Sequence, residues 1–311
     1  MPKLNERLKS PLTDLNLDFS QDNLFVLNLA LAFIMFGVSL SIRRSSFKEI
    51  MRNPSAVLTG VASQFLLLPF LTFLLVYLIQ PLEGLALGMI LVAACPGGNV
   101  SNFFSQVSKG NVALSVSLTA IATIAASVMT PLNFQFWSSL YLGDKLSVAV
   151  NIDPFQMFKI VLLVLVVPLF LGVWFSHKFP VITKAISLPI RIVSFLILIG
   201  FILLAFMKNI NLFTRYYKYI IYLVFIHNAV ALLSGYFLSK IVGNSEQDSR
   251  TISIETGIQN SGLGLVIIFT LFQGNGGMAL ITAWWGIWHI IAGMIISILF
   301  SKGAIFDLKT S

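Results

Sequence analysis

Apolar residues fall into nine runs of about 20 residues, separated by short polar segments. An α-helix of that length crosses a lipid bilayer. The runs do not alternate polar and apolar residues with period two, as the strands of a membrane barrel would. The pattern predicts an all-α polytopic membrane protein with nine transmembrane helices at 24–42, 56–78, 85–105, 112–136, 155–175, 186–206, 219–238, 252–272 and 278–300.

Two of these runs contain residues that disfavour a continuous helix. In the third run, Pro-Gly-Gly-Asn at 96–99 falls about thirteen residues after Glu83, which is near the middle of the bilayer. Proline removes a backbone donor and glycine loosens the helical turn. In the eighth run, Gly257, Gly262 and Gly264 surround a polar Gln-Asn pair. We therefore predict two discontinuous helices, and a capping pair of Ser245 with Asp248 at the start of the second.

The two interrupted runs are the third and the eighth, so they cross the membrane in opposite directions. Interrupted helices at matching positions of two inverted halves indicate the binding site of a transporter. Nine helices make two five-helix repeats only if the first helix is missing. The polar segment 1–23 stands in its place, lacks the apolar core of a signal peptide, and is predicted to be a short external arm.

Composition supports a membrane protein, with 57% hydrophobic and 10% charged residues and a mean hydropathy of +0.90. The net charge of +8 could suggest nucleic-acid binding, but the basic residues concentrate in particular loops, as the positive-inside rule describes. The loop with Arg43, Arg44, Lys48 and Arg52 is predicted to be cytoplasmic. We therefore expect a multi-pass protein of the cell (inner) membrane with its amino terminus outside and its carboxyl terminus cytoplasmic. Three basic residues then fall outside and weigh against this orientation: Lys208, Arg215 and Lys218.

Glu255 is the one acidic residue inside an apolar run. An ionised side chain at that depth costs at least about 2.5 kcal/mol on insertion scales, so it usually faces a cavity, an ion or a partner. Oxygen donors without a His or Cys cluster suit an alkali or alkaline-earth ion, and a single carboxylate suits Na⁺ better than Ca²⁺. Taken singly, the neutral polar residues could instead join helices by hydrogen bonds. The oxygen donors near the breaks are Ser101, Asn102, Ser115, Thr119, Glu255 and Gln259.

Three motifs together resemble the bile acid:sodium symporter family: PGGNVSN at 96–102, GNVALSVSLT at 110–119 and ETGIQNS at 255–261. The resemblance covers about 24–300. It implies one transmembrane domain with a panel (24–42, 155–206) and a core (56–136, 219–300), in which the two discontinuous helices cross at the midplane. Residues 301–311 would form a cytoplasmic tail.

The resemblance also implies the ligands of two coupling ions. The first sodium site would use Ser101, Asn102, Ser115, Thr119 and Glu255. The second would use Gln64, Glu255, Thr256, Ile258 and Gln259, some of them through backbone carbonyls. Substrate would lie near Gly98, Asn99 and Asn260. Gln64 is brought forward only by the resemblance, because nothing in its local chemistry distinguishes it.

The sequence thus predicts a secondary active symporter that couples Na⁺ influx to uptake of an organic anion, either bile-acid-like or a small carboxylate. Two Na⁺ ions beside one ionised carboxylate leave about +1 charge, which an anion would balance. The alternative is a cation/proton exchanger with Glu255 as the proton carrier, although such exchangers typically need a second intramembrane Asp or Lys. We expect no enzyme activity, because paired membrane Asp residues and a Gly-x-Ser-Gly motif are missing. The expected partners are Na⁺, the anion and lipid, with no cofactor and no nucleic acid, and the expected assembly is a monomer.

Overall fold

The computed structural model of the chain describes residues 21–40, 53–98, 100–143, 153–208 and 210–302. Within these ranges the chain forms eleven helices and one isolated backbone bridge. The helices are α1 (Gln21–Ser39), α2 (Pro54–Ile79), α3 (Glu83–Ala94), α4 (Ser101–Val107), α5 (Val112–Leu142), α6 (Pro154–Lys178), α7 (Pro180–Lys208), α8 (Ile210–Val242), α9 (Glu246–Gly257), α10 (Ser261–Leu271) and α11 (Gly276–Ser301).

Each predicted apolar run corresponds to one helix or to one pair of consecutive helices. The third run is divided into α3 and α4, and the eighth into α9 and α10, so the predicted helix breaks are confirmed. Among the described residues, five helices are long and apolar enough to cross a membrane: α2, α5, α6, most of α8, and α11. The protein is therefore an all-α, multi-pass membrane protein.

Several predicted segments fall partly or wholly outside the described residues. These are residues 1–20 of the arm, the basic loop, Asn99 and most of the tail. Helix α1 begins at Gln21, so the last three residues of the predicted arm belong to this helix. The orientation of the termini stays a prediction.

The start of α9 has the capping arrangement that the sequence predicts. The hydroxyl of Ser245 accepts a hydrogen bond from the amide of Asp248 at 3.1 Å. Ser245 Oγ also donates to Asp248 Oδ2 at 2.7 Å. A side chain that accepts from the first turn stabilises a helix start by about 1 kcal/mol, which fixes where α9 begins.

Close packing of small residues brings the helices of the core together. Gly84 on α3 faces Gly277 on α11, where a Cβ atom at Gly84 would lie 3.1 Å from the partner's Cα. Glycine pairs allow such backbone approach between membrane helices. On the outer surface large apolar side chains are exposed, including Leu78 (77%) and Val181 (83%), as lipid contact requires.

Helix α1 packs against α6 and α7, which are the helices that the sequence groups with it in the panel. Helices α8 and α9 pack closely, as do α3 and α11, within the predicted core. Contacts also join the two groups, since α5 packs against α6 and α1 against α10. The division into two moving units stays a prediction.

Candidate functional site

The two helix breaks meet and pair through their backbones. The amide of Gly98 donates to the carbonyl of Ile258 at 2.6 Å, and the amide of Asn260 donates to the carbonyl of Pro96 at 2.9 Å. We call these four residues and the two between them the crossover. At membrane depth a broken helix is tolerated only where its freed polar groups find partners. Here each break supplies partners to the other.

Local sequence explains why the chain is extended at this point. Cys95 leaves the helical region with φ −70° and ψ 156°, and the following Pro96 has no amide to continue α3. Gly98 lies so close to the second break that a Cβ atom would be 3.1 Å from the carbonyl oxygen of Gln259. Asn260 restarts the helix on the other side, because its side chain accepts from the amide of Leu263 at 3.0 Å.

Glu255 lies in the last turn of α9 and is 0% exposed. Its Oε1 accepts hydrogen bonds from three hydroxyls, those of Ser101 (2.5 Å), Ser115 and Thr119 (3.3 Å). These residues come from α4 and α5, so three helices meet at one carboxylate. We call Ser101, Ser115 and Thr119 the hydroxyl side of the site.

The second oxygen of the carboxylate, Oε2, accepts from Thr119 at 3.3 Å and lies beside Gly97 and Gln64. A Cβ atom at Gly97 would lie 3.0 Å from Glu255 Oε2, 3.2 Å from the Glu255 carbonyl and 3.3 Å from Gln64 Oε1. Gln259 and Thr256 join this group, since Gln259 Nε2 donates to the Thr256 carbonyl at 2.8 Å. We call Gln64, Gly97, Thr256 and Gln259 the amide side of the site.

Gln64 reaches the site through an irregular turn of α2. The turn Ser63–Leu67 is π-helical, and Pro69 follows it. Because Pro69 lacks an amide, the carbonyl of Phe65 has no α-helical donor. Asn133 on α5 donates to that carbonyl at 3.0 Å. π-Helical turns of this kind often occur at functional sites.

The donor set fits a small hard cation. Hydroxyl, carboxylate, amide and carbonyl oxygens converge on both sides of Glu255, and among the described residues no group of three His, Cys, Asp or Glu side chains could hold a metal ion. Two buried amide atoms, Gln64 Nε2 and Gln259 Oε1, have no hydrogen-bond partner. Both ion pairs of the described residues involve Glu246, and neither reaches Glu255. A buried carboxylate without a cationic side chain is costly unless another positive charge approaches it.

Only some of the predicted ligands of the first sodium site contact Glu255 directly. Ser101, Ser115 and Thr119 bond Glu255 directly, whereas Asn102 is the next residue of α4 and its side chain is half-buried. For the second site, Gln259 is part of the crossover and Gln64 lies beside it, and both are fully buried.

Two further predicted residues, Ile258 and Asn260, belong to the crossover. Ile258 contributes its carbonyl to the crossover, but that oxygen already accepts from Gly98. The side chain of Asn260 caps α10 and approaches Met35 of α1 at 4.0 Å. Asn99 lies outside the described residues.

Sequence reasoning did not single out three residues that support the site. Ser63 Oγ lies 2.8 Å from Thr256 Oγ1, Asn133 holds the π-helical turn, and Asn228 on α8 donates to the carbonyl of Gly257 at 2.7 Å. The available signal was their polarity inside apolar runs. That signal alone does not separate a support of the site from an ordinary contact between helices.

Two discontinuous helices that meet beside a buried carboxylate are typical of membrane transporters. Residues 28–216 match the sequence model of the Sodium Bile acid symporter family. Over 293 residues the chain is 30% identical to the uncharacterized sodium-dependent transporter YocS of Bacillus subtilis, covering 92% of this chain and 88% of that protein. The chain belongs to the sodium bile acid symporter family, and sodium-dependent transporters are among its relatives.

Two further relatives also carry functional names. The chain is 37% identical over 246 residues to the probable sodium/metabolite cotransporter BASS2, chloroplastic, of Oryza sativa subsp. japonica, covering 77% of this chain and 55% of that protein. It is 29% identical over 252 residues to the sodium-dependent organic anion transporter of Bos taurus, covering 79% of this chain and 63% of that protein. The chain thus spans little more than half of the rice protein.

Proposed function

We propose that this protein is a secondary active symporter that couples Na⁺ influx to uptake of an organic anion. The observation that carries the proposal is Glu255, which is fully buried, faces only oxygen donors and amides, and forms no ion pair with a described Lys or Arg. A cation from solution supplies the missing charge.

The two sides of the site correspond to two sodium positions. On the hydroxyl side, Ser101, Ser115 and Thr119 would turn oxygen lone pairs toward an ion that binds Oε1, with Asn102 adjacent. On the amide side, Glu255 Oε2, Gln64 Oε1 and the carbonyl of Glu255 already surround one point beside Gly97. Gln259, Thr256 and Ile258 complete the ligands available there.

The substrate is inferred from charge. Two sodium ions and one carboxylate carry about +1, and low-dielectric surroundings make unbalanced charge costly. An anion near Gly98 and Asn260 neutralises the site, and binding of ion and anion is then mutually favourable. The names of the rice and cattle relatives support a metabolite or an organic anion as cargo.

Transport would proceed by alternating access. The core (56–136, 219–300) would move relative to the panel (24–42, 155–206), which exposes the crossover first to one side and then to the other. Half-helices held together at the crossover would move as part of the core. We place the protein in the cell membrane, with uptake directed toward the cytoplasm.

Proteoliposomes with an imposed Na⁺ or K⁺ gradient test this function. A radiolabelled bile acid and radiolabelled pantoate serve as the amphipathic and the small anion. We expect uptake of one of them under the Na⁺ gradient alone. In Glu255→Gln the Na⁺-driven uptake should fall more than about a hundredfold, since removal of one buried charged partner costs about 3–5 kcal/mol.

Two results would contradict the symporter. Undiminished Na⁺-driven uptake by Glu255→Gln would remove the carboxylate from the mechanism. Proton release on Na⁺ binding, with neither anion transported or bound, would favour the cation/proton exchanger.

A further inference from the structure

Asp248 forms a second buried carboxylate centre at the start of α9, well away from the crossover. Its side chain is 5% exposed. The carboxylate accepts hydrogen bonds from Asn53 Nδ2 at 2.9 Å, from Asn111 Nδ2 at 2.8 Å and from Ser245 Oγ at 2.7 Å. These donors come from three different parts of the chain. We call these four residues the Asp248 cluster.

Each donor of the Asp248 cluster is also the N-cap of a helix. Asn53 caps α2 by accepting from the amide of Ala56 at 3.4 Å, and Asn111 caps α5 by accepting from Leu114 at 3.0 Å. Ser245 caps α9 in the same way. The positive ends of three helix dipoles therefore converge on one carboxylate.

The three helices whose N-caps contact Asp248 carry most of the proposed sodium ligands. Helix α9 carries Glu255, two turns after Asp248. Helix α5 carries Ser115 and Thr119, one and two turns after its cap, and α2 carries Gln64 in its π-helical turn. A shift of any of these helices along its axis would move its ligands relative to the other two.

Two further contacts fix α9 against the start of α5. The amide of Asn111 donates to the carbonyl of Gln247 at 3.3 Å, and Thr251 Oγ1 donates to the carbonyl of Asn111 at 3.2 Å. The same asparagine thus contacts α9 through its side chain, its amide and its carbonyl. These contacts fix the position of α9 along its axis relative to α5, at the end of the two helices where Asp248 lies.

We propose that Asp248 is a positioning residue for sodium binding: by holding the starts of α2, α5 and α9 together, it sets the distances between Gln64, Ser115 and Glu255. The role rests on the proposed function, because these residues are the proposed ligands. Binding sites lose affinity when their ligands stray by more than about 0.5 Å from the productive geometry. A carboxylate bonded to three helix caps can hold the ligands at these distances without contacting the ion.

Equilibrium binding of ²²Na⁺ to the purified full-length protein tests this role without the need for a known anion. In Asp248→Asn one acceptor oxygen becomes an NH2 group, which then faces the NH2 group of either Asn53 or Asn111. We expect the dissociation constant for Na⁺ to rise on the order of tenfold, as for other groups that orient metal ligands. Glu246→Gln is the matched control, since Glu246 lies at the same helix start but bonds only Tyr236, Lys240 and Arg250. Its Na⁺ affinity should equal that of wild type.

A swap of the charge separates positioning from loss of stability. In the double variant Asp248→Asn with Asn53→Asp, the new carboxylate can cap α2 and accept from the amide at position 248. We expect this variant to regain most of the Na⁺ affinity, whereas general loosening of the fold would not be reversed. Thermal unfolding in K⁺, measured in parallel, reports stability without the coupling ion.

Asn111→Ser provides a second variant if Asp248→Asn does not fold. Serine caps a helix as well as asparagine does, but it lacks the amide that reaches Asp248. Its Na⁺ affinity should also fall. Wild-type affinity in Asp248→Asn, or in Asn111→Ser where the first variant fails to fold, would overturn the role of Asp248. Wild-type affinity in Glu255→Gln would instead overturn the proposed sodium site itself.

Discussion

The hydroxyl side and the amide side of Glu255 share one carboxylate but differ in how they are satisfied. On the hydroxyl side, Ser101 and Ser115 donate to Oε1, and Thr119 Oγ1 lies 3.3 Å from both carboxylate oxygens. On the amide side, oxygen atoms face one another around Gly97, and Gln64 Nε2 and Gln259 Oε1 are buried without partners. Hydroxyls both donate and accept, so they can rotate between carboxylate and ion. The oxygen atoms around Gly97 are acceptors only, so they cannot switch between donating and accepting.

The difference suggests unequal dependence on the coupling ion. The hydroxyl side can form a closed set of hydrogen bonds by itself, so loss of its ion leaves few groups unsatisfied. The amide side leaves the acceptor Gln259 Oε1 unpaired unless an ion or water binds it, and an unpaired buried group costs about 1–3 kcal/mol. We therefore expect substitutions on the two sides to differ in their effects on Na⁺ binding and on stability.

The largest of the three side-specific effects is expected at Gly97. Gly97→Ala places a methyl group 3.0 to 3.3 Å from three oxygen atoms of the amide side. We expect the Na⁺ dissociation constant to rise more than about tenfold, because ligands that must move apart lose the geometry that a cation requires. Binding of ²²Na⁺ measures this effect. Gly200→Ala is the control, since a Cβ atom there meets nothing within 4 Å; equal affinities in the two variants would contradict the placement of an ion beside Gly97.

A smaller effect is expected on the hydroxyl side. Ser115→Ala removes one of three donors to the carboxylate, and a hydrogen bond to a charged group contributes about 1.5–3 kcal/mol. Since the other two hydroxyls remain, we expect the half-saturating Na⁺ concentration for uptake to rise about tenfold, at the lower end of that range. Ser117→Ala on the same helix, where the hydroxyl donates to the carbonyl of Ala113, should leave it unchanged. Similar shifts in both variants would mean that any serine lost from α5 has this effect.

The smallest effect concerns stability on the amide side. Gln259→Met removes the unpaired Oε1 together with the bond from Nε2 to Thr256. These changes oppose each other, so the free energy of unfolding in K⁺ should stay within about 1 kcal/mol of wild type. The additional thermal stabilisation by Na⁺ should shrink, because a ligand is lost. An undiminished Na⁺-dependent shift would remove Gln259 from the ion site.

The sequence predicted the helix breaks because their causes are local. Pro96 cannot continue the hydrogen bonds of α3, and glycines flank both interruptions. Glu255 was also identifiable, since one charge in an apolar run has few structural explanations. In the structure Gly262 and Gly264 lie inside α10, so the second break ends earlier than the spread of glycines suggested.

Gln64 could not be found from local chemistry. A neutral amide in an apolar helix usually joins helices by hydrogen bonds, and its position here depends on a π-helical turn, Pro69 and a bond from Asn133 to Phe65. Asn133 is distant in sequence, so local chemistry does not reveal its contact with this turn. The Asp248 cluster was foreseen only as a local cap by Ser245, because Asn53 and Asn111 become its neighbours through folding alone.

The crossover has a consequence for how such a protein can diverge. Its hydrogen bonds join main-chain atoms of Pro96, Gly98, Ile258 and Asn260. A mutation at Ile258 or Asn260 replaces a side chain but leaves the carbonyl or amide that forms the bond. The frame of the ion site can therefore be inherited through changes that reshape the surrounding cavity. Evolution can therefore change the transported substrate while the ion-binding site keeps its backbone frame.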